Sequence, residues 1–329
     1  MSAVVVGTGS GLAARRPPAE ITLVASRPLR IFQAASAVTR VVPLDALSLT
    51  ASGLARQLGP RIMPDKVDQL ARHIQRVNPG LDEATARAAA ARGLGSYARY
   101  WVESFKLPHA STTVVDRGFS VIGYEHVEAS LTSGLGPILV LPHLGGWEWA
   151  AAWLGKVVGV RVSAVVERLE PDDVFEWFVD LRSAYGIDVI PLGPDAIGRL
   201  ATAVHERNIV CLLSDRDIDG TGVEVSFFGE NTTLPAGPAL LARRTGAPLL
   251  PTAVYFRGRS RLGYVDPAIR SDPDRRLRAD VKATTQALAH AMERLIEAAP
   301  EQWHMLGPNW PSDHDQDHSP EPTGALERA

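Results

Sequence analysis

Pro137-Ile138-Leu139-Val140-Leu141-Pro142-His143-Leu144-Gly145-Gly146-Trp147-Glu148 decides how this chain is read. Its first half is short and apolar and follows Gly134 and Gly136, so it reads as a buried strand. Gly145 and Gly146 permit a tight turn and a close approach of backbone to a ligand. The run from Trp147 to Leu154 then reads as a helix with a buried face. His143 is therefore expected at the carboxyl end of a strand, the ligand edge of an open α/β sheet. Glu148 is expected in the first turn of the helix, where the dipole favours a carboxylate. If the turn folds back, Glu148 accepts from one ring nitrogen of His143. The other nitrogen then serves as a base toward an alcohol. A structural ion pair would use the same two residue types; the glycine turn at a strand end favours a site.

Outward from this stretch, strands are expected at 137–142, 160–166, 187–191, 209–213 and 249–255. Helices are expected between most of them, at 147–157, 172–185, 195–206 and 236–245, and a last one at about 275–297. Alternation of this kind predicts an α/β fold with a twisted, mainly parallel central sheet flanked by helices. Residues 28–106 read as largely helical and form an N-terminal helical segment; Asp82 to Ala91 is a strong helix former. The aromatic stripe from Ser96 to Phe105 serves either as packing against the α/β core or as acyl-chain contact. The expected division is an arm at 1–20, a helical segment at 21–114, an α/β core at 115–311 and a disordered tail at 312–329. The helical segment interleaves apolar runs with Arg27, Arg30, Arg40 and Arg56, which suits either core packing or a membrane surface.

Composition narrows the class. A chain of 329 residues, 45% hydrophobic, can bury a large core, and a formal net charge of −3 argues against a nucleic-acid-binding surface. Cys211 is the only cysteine, so no intrachain disulfide forms, and its apolar surroundings disfavour a nucleophilic role. No run reaches the roughly 18 apolar residues of a spanning helix. Met1 to Gly7 lacks the basic region of a secretion signal. Val4 to Gly11 is close to a dinucleotide fingerprint, but Leu12 replaces the third glycine and Pro17-Pro18 breaks the helix that should follow. His314 and His318 lie in a polar tail, and no metal site is expected.

A second constellation, Ser214-Asp215-Arg216-Asp217, follows the apolar strand ending at Leu213. It is again a strand-end site, so it is placed to share a cleft with His143. It suits headgroup binding, a charge relay or a surface ion pair. No G-x-S-x-G elbow is present, which argues against a serine-nucleophile hydrolase.

Taken together these residues resemble the lysophospholipid-acyltransferase-like superfamily. Within it they are most similar to the branch of lipid A late acyltransferases and actinobacterial phosphatidylinositol mannoside acyltransferases. His143 and Glu148 match the H-x4-D/E motif. Phe227-Phe228-Gly229, Pro235-Ala236-Gly237-Pro238, Thr245-Gly246-Ala247-Pro248 and Pro300-Glu301-Gln302-Trp303-His304-Met305 match later blocks in order. The resemblance spans about residues 65–310. It departs from the mannoside branch in carrying Glu148 where those enzymes have aspartate.

The resemblance implies transfer of a fatty acyl group from acyl-CoA, a co-substrate rather than a bound cofactor, to a hydroxyl of a membrane glycolipid. A phosphatidylinositol mannoside is the expected acceptor. His143 would be the general base, with Glu148 and Asp215 orienting it. The Gly145-Gly146 backbone or Arg216 would stabilise the oxyanion. Glu167, Arg182 and Arg216 would form the polar part of the cleft, with Arg182 either on a phosphate or in a structural salt bridge. Trp147, Trp149 and Trp153 line an acyl groove or pack in the core. The expected location is peripheral, at the cytoplasmic face of the cell membrane. The rivals are an acyltransferase for another glycolipid or sugar, and a non-catalytic lipid-binding relative.

Overall fold

The structure, a computed structural model, describes residues 27–168, 170–218 and 220–314. The expected arm at 1–20 and the residues from 315 onward, His318 among them, lie outside the described residues.

Among the described residues four helices lead: α1 (Arg27–Val41), α2 (Leu44–Ile62), α3 (Pro64–Val77) and α4 (Glu83–Lys106). The α/β part opens with α5 (Thr112–Arg117), β1 (Phe119–Ile122), α6 (Tyr124–Thr132) and β2 (Ile138–Leu141). There follow α7 (Trp147–Trp153), β3 (Val162–Val166), α8 (Asp172–Ser183), β4 (Ile187–Pro191), α9 (Ala196–His205) and β5 (Ile209–Leu213). The chain then forms β6 (Val223–Phe227), β7 (Glu230–Leu234), α10 (Gly237–Thr245), β8 (Leu249–Arg257), β9 (Ser260–Val265), α11 (Leu277–Glu297) and α12 (Pro311–His314). Seven strands make one sheet in the order β1-β9-β8-β2-β5-β3-β4, and β6-β7 form a separate hairpin. All neighbours in the large sheet run parallel except β8 and β9. The mainly parallel α/β architecture with an N-terminal helical segment is therefore as the sequence implies.

The strands are apolar without alternation because both faces of the sheet are covered. Ile138, Val140, Val210 and Leu212 face a core shared with Leu200 and Val204 of α9, Leu241 of α10 and Leu288 and Met292 of α11. Leu139, Leu141, Ile209 and Cys211 face the opposite core, with Trp149 and Ala152 of α7 and Phe178 and Leu181 of α8. Burial pushes the Cys211 thiol up to about 12, which leaves it un-ionised at neutral pH.

Three features differ from the sequence reading. β1 and β9 extend the sheet beyond β8, although their half-exposed, interrupted patterns gave no strand signal. β6 and β7 pair as a separate antiparallel hairpin, which the list of expected strands does not include. Asp313, expected in the tail, is buried: it accepts hydrogen bonds from the backbone of Asn309 (2.8 Å) and Trp310 (3.1 Å) and contacts His73 of α3 at 3.2 Å. The tail thus begins by pinning the C-terminal segment to the helical segment.

Candidate active site

The parallel register builds the site. Leu141 of β2 lies beside Leu213 of β5, so two residues on, His143 and Asp215 leave the sheet together at the carboxyl ends of adjacent strands. Asp215 is fully buried. One carboxylate oxygen accepts from the His143 backbone N–H (2.8 Å), and the other contacts His143 Nδ1 at 2.5 Å. Trp303 Nε1 donates to the first oxygen at 2.7 Å, and Asn309 Nδ2 donates to the Asp215 carbonyl at 2.9 Å. Burial works against the charged carboxylate, but His143 beside it and these hydrogen bonds hold its pKa below the ordinary aspartate value. An ionised carboxylate only accepts, so Nδ1 carries a proton, and in the neutral ring the lone pair is on Nε2. The His143 side chain is 28% exposed, which leaves the ring open to a substrate.

Glu148 does not take that place. It sits in the first turn of α7 as expected, but it is 2% exposed and turned away from the imidazole toward α8. Its Oε1 accepts from Arg182 Nε (3.0 Å), Arg182 Nη2 (2.8 Å) and the Tyr100 hydroxyl (3.0 Å). Its Oε2 accepts from the Tyr185 hydroxyl at 2.8 Å. Burial pushes the Glu148 carboxyl up, but Arg182 and the hydrogen bonds outweigh it and leave the pKa low. Burial and the nearby Glu148 charge push the Tyr100 and Tyr185 hydroxyls up, so both stay protonated as donors. The expected bond from Glu148 to His143 is replaced by one from Asp215, because Glu148 is taken up by Arg182, Tyr100 and Tyr185 while the β2–β5 register brings Asp215 to the imidazole.

Two open alternatives are narrowed. Arg182 is 8% exposed and engaged by Glu148, so it is held as a buried ion pair rather than offered to a phosphate. The amides of the glycine turn are already used: Gly145 N–H donates to the Gln302 carbonyl (2.9 Å) and Gly146 N–H to the Val254 carbonyl (3.1 Å). They are not free to hold an oxyanion. The glycines are nonetheless required, since Gly145 has a φ of +58° and a Cβ there would lie 1.9 Å from the Val254 carbonyl oxygen. Glu167, after β3, and Arg216, after β5, meet at 3.6 Å with about half of each side chain exposed. These two form the polar, solvent-facing rim at the carboxyl ends of the strands. Trp149 is buried and donates to the Val115 carbonyl (3.0 Å), and Trp153 Nε1 donates to Asp116 at 3.1 Å, so both pack the core. Among the described residues there is no group of three or more His, Cys, Asp or Glu placed to hold a metal.

Sequence reasoning pointed to the Gln302-Trp303-His304 segment but gave it no task. It forms a short antiparallel ladder against His143-Leu144-Gly145, with His304 N–H donating to the His143 carbonyl at 2.7 Å. The segment holds the histidine backbone on one side and, through Trp303, its carboxylate on the other.

A parallel-sheet enzyme with a carboxylate-held histidine at its strand ends and no serine elbow fits a direct acyl-transfer enzyme. The family model for bacterial lipid A biosynthesis acyltransferases matches residues 29–312, and the chain belongs to that family. It is an O-acyltransferase. It is similar to the phosphatidylinositol mannoside acyltransferase of Mycobacterium tuberculosis, with 37% identity over 289 residues, 86% of this chain and 87% of the relative. The protein of the same description from Mycolicibacterium smegmatis is 39% identical over 225 residues, 67% of this chain and 71% of the relative.

Proposed function

We propose that this enzyme moves a fatty acyl group from acyl-CoA to a hydroxyl of a membrane glycolipid, with a phosphatidylinositol mannoside as the acceptor. The observation that carries the chemistry is the His143 Nδ1 contact with Asp215 at 2.5 Å. Nε2 of His143 removes the proton as the acceptor oxygen attacks the thioester carbon. The carbonyl becomes a tetrahedral oxyanion. Its collapse expels the thiolate, which takes the proton back from the imidazolium, leaving ester and free CoA thiol. Asp215 stabilises the imidazolium as it forms. Glu148 and Arg182 brace α7 against α8 behind the reacting histidine. Glu167 and Arg216 face the polar end of the substrates, where Arg216 suits a phosphate.

The acceptor assignment rests on the relatives' substrate and on the length over which they match. The proposed setting is the cytoplasmic face of the cell membrane. Among the described residues no helix is long and apolar enough to cross a membrane. Leu54, Leu58 and Ile62 form an exposed i, i+4, i+8 stripe on α2, and Ile31, Val38 and Val41 are exposed on α1. Exposed apolar helices with arginines such as Arg40 and Arg61 alongside suit the headgroup boundary of an anionic bilayer.

The test is transfer from labelled palmitoyl-CoA to a panel of glycolipids, read by mass spectrometry with His143→Ala as control. A His143-dependent ester on a phosphatidylinositol mannoside supports the whole reading. An ester only on another acceptor keeps the chemistry and replaces the substrate. No transfer by folded protein with varied donors contradicts the reading.

A further inference from the structure

The oxyanion formed in acyl transfer needs hydrogen-bond donors, and the turn amides expected to provide them are bound elsewhere. Arg216, the other expected donor, reaches toward Glu167. The ladder between residues 143–145 and 302–304 brings a different group to the site. Leu144 and Trp303 are bridge partners, flanked by the bonds His304 N–H to His143 O (2.7 Å) and Gly145 N–H to Gln302 O (2.9 Å). This is the antiparallel pattern in which His143 and His304 stand directly opposite. Opposed residues project to the same face, with Cβ atoms about 5 Å apart. The two imidazoles therefore lie on the same face of the ladder, near enough that His143 acts on the charge of His304.

The surroundings of His304 look built to fix a ring. Its Nε2 meets Ser96 Oγ of α4 at 2.9 Å, and Tyr97 and Tyr100 pack on the ring at centroid distances of 5.4 and 5.7 Å. Burial and the neighbouring His143 push its pKa down to about 3, so it stays neutral while His143 cycles through its protonated form. A serine hydroxyl can donate or accept, and in the tautomer in which Ser96 donates to Nε2 the proton of the neutral ring sits on Nδ1. No hydrogen bond among the described residues engages Nδ1.

We propose that His304 is a second catalytic histidine, which donates its Nδ1–H to the thioester carbonyl oxygen as negative charge develops there, opposite the general base His143. This rests on the acyl-transfer reading above. It divides the work between two histidines on one face of the ladder: His143 moves the proton, and His304, tied to Ser96, supplies a fixed dipole.

The test compares wild type with His304→Phe and His304→Asn in transfer from palmitoyl-CoA, alongside His143→Ala. Phenylalanine keeps a flat ring between Tyr97 and Tyr100 and removes the donor. Asparagine gives up the ring and keeps an N–H near the position of Nδ1. The expected result is a kcat about 10²-fold lower for His304→Phe with the KM for palmitoyl-CoA nearly unchanged. His304→Asn is expected to recover at least about tenfold of that loss. A purely structural histidine gives the reverse order, with phenylalanine the better substitute, and that order overturns the proposal, as does full activity in His304→Phe. If His304→Phe does not fold, Ser96→Ala decides. Freeing the tautomer should lower kcat several-fold without changing the melting temperature, and an unchanged kcat overturns the proposal. A wild type without His143-dependent transfer refutes the acyl-transfer reading itself. A wild type that turns over while the His304 variants match it refutes only the role of His304.

Discussion

Asp215, two residues past β5, and Glu148, in the first turn of α7, are both buried carboxylates with lowered pKa values, yet they are partnered oppositely. Asp215 holds a partly exposed imidazole and is itself held by Trp303. Glu148 holds a permanently charged, buried guanidinium and two tyrosine hydroxyls. The first pair leaves one valence open toward solvent, at Nε2 of His143. The second is closed on itself. Proximity in sequence favours Glu148, five residues from His143, but strand register favours Asp215, and register decides the contact.

Breaking the first pair should have the largest effect on rate. His143→Ala removes the base, and turnover is expected to vanish while circular dichroism and melting stay near wild type. Asp215→Asn keeps the side-chain shape but allows the wrong tautomer of His143. Its kcat is expected to fall by about 10⁴-fold, as tautomer loss does in comparable relays. A kcat within a few-fold of wild type would break the comparison at its strongest point.

Breaking the second pair should appear first in stability. Glu148→Gln leaves Arg182 charged in a buried site, at a cost of about 3–5 kcal/mol in denaturant unfolding. Asp215→Asn leaves behind a partly exposed imidazole rather than a buried guanidinium and should cost less. The double variant Glu148→Gln with Arg182→Met should regain much of the loss, because the uncompensated charge is gone. If Glu148→Gln unfolds no more easily than Asp215→Asn, the two carboxylates are not divided in this way.

Acid sharpens the same contrast. Both folded-state pKa values lie below their ordinary values of 4.5 for Glu148 and 3.8 for Asp215. The unfolded chain therefore binds these protons first as pH falls. The stability from each pair is complete above its ordinary value and is lost as pH drops through the lowered one. Unfolding free energy measured from pH 6 downward should decline below about pH 4.5, and Glu148→Gln should flatten the upper part of that decline. A decline of equal slope in wild type and variant would contradict this assignment.

The smallest effects belong to the exposed pair. Glu167 and Arg216 are half in water, so Arg216→Ala should move stability by no more than about 0.5 kcal/mol. If Arg216 meets a donor phosphate, KM for acyl-CoA rises in Arg216→Ala while kcat holds. An unchanged KM removes Arg216 from the binding rim.

Much of the fold was legible because buried parallel strands leave long apolar signatures. Ile138–Leu141, Ile187–Pro191 and Ile209–Leu213 stand out between glycine and proline punctuation. β1 and β9 did not, since Ser120, Ser260 and Arg261 interrupt their patterns and their pairing is tertiary. His143, Asp215 and the strand-end location were readable from local sequence. Which carboxylate meets the imidazole was not, because that depends on β2 and β5 being neighbours with a particular register. For the same reason the partners Trp303, Tyr100, Tyr185 and Ser96 lay beyond local reading. They arrive from α4, the turn after α8 and the C-terminal segment, and no spacing rule links them to His143.

The central claim is that Asp215, not Glu148, orients the base. The most direct test is proton NMR of the His143 Nδ1–H, whose short bond to a carboxylate should give a strongly downfield, slowly exchanging resonance. The resonance should be present in wild type and in folded Glu148→Gln, and absent from Asp215→Asn and His143→Ala. A resonance that survives Asp215→Asn and disappears in folded Glu148→Gln would contradict the account.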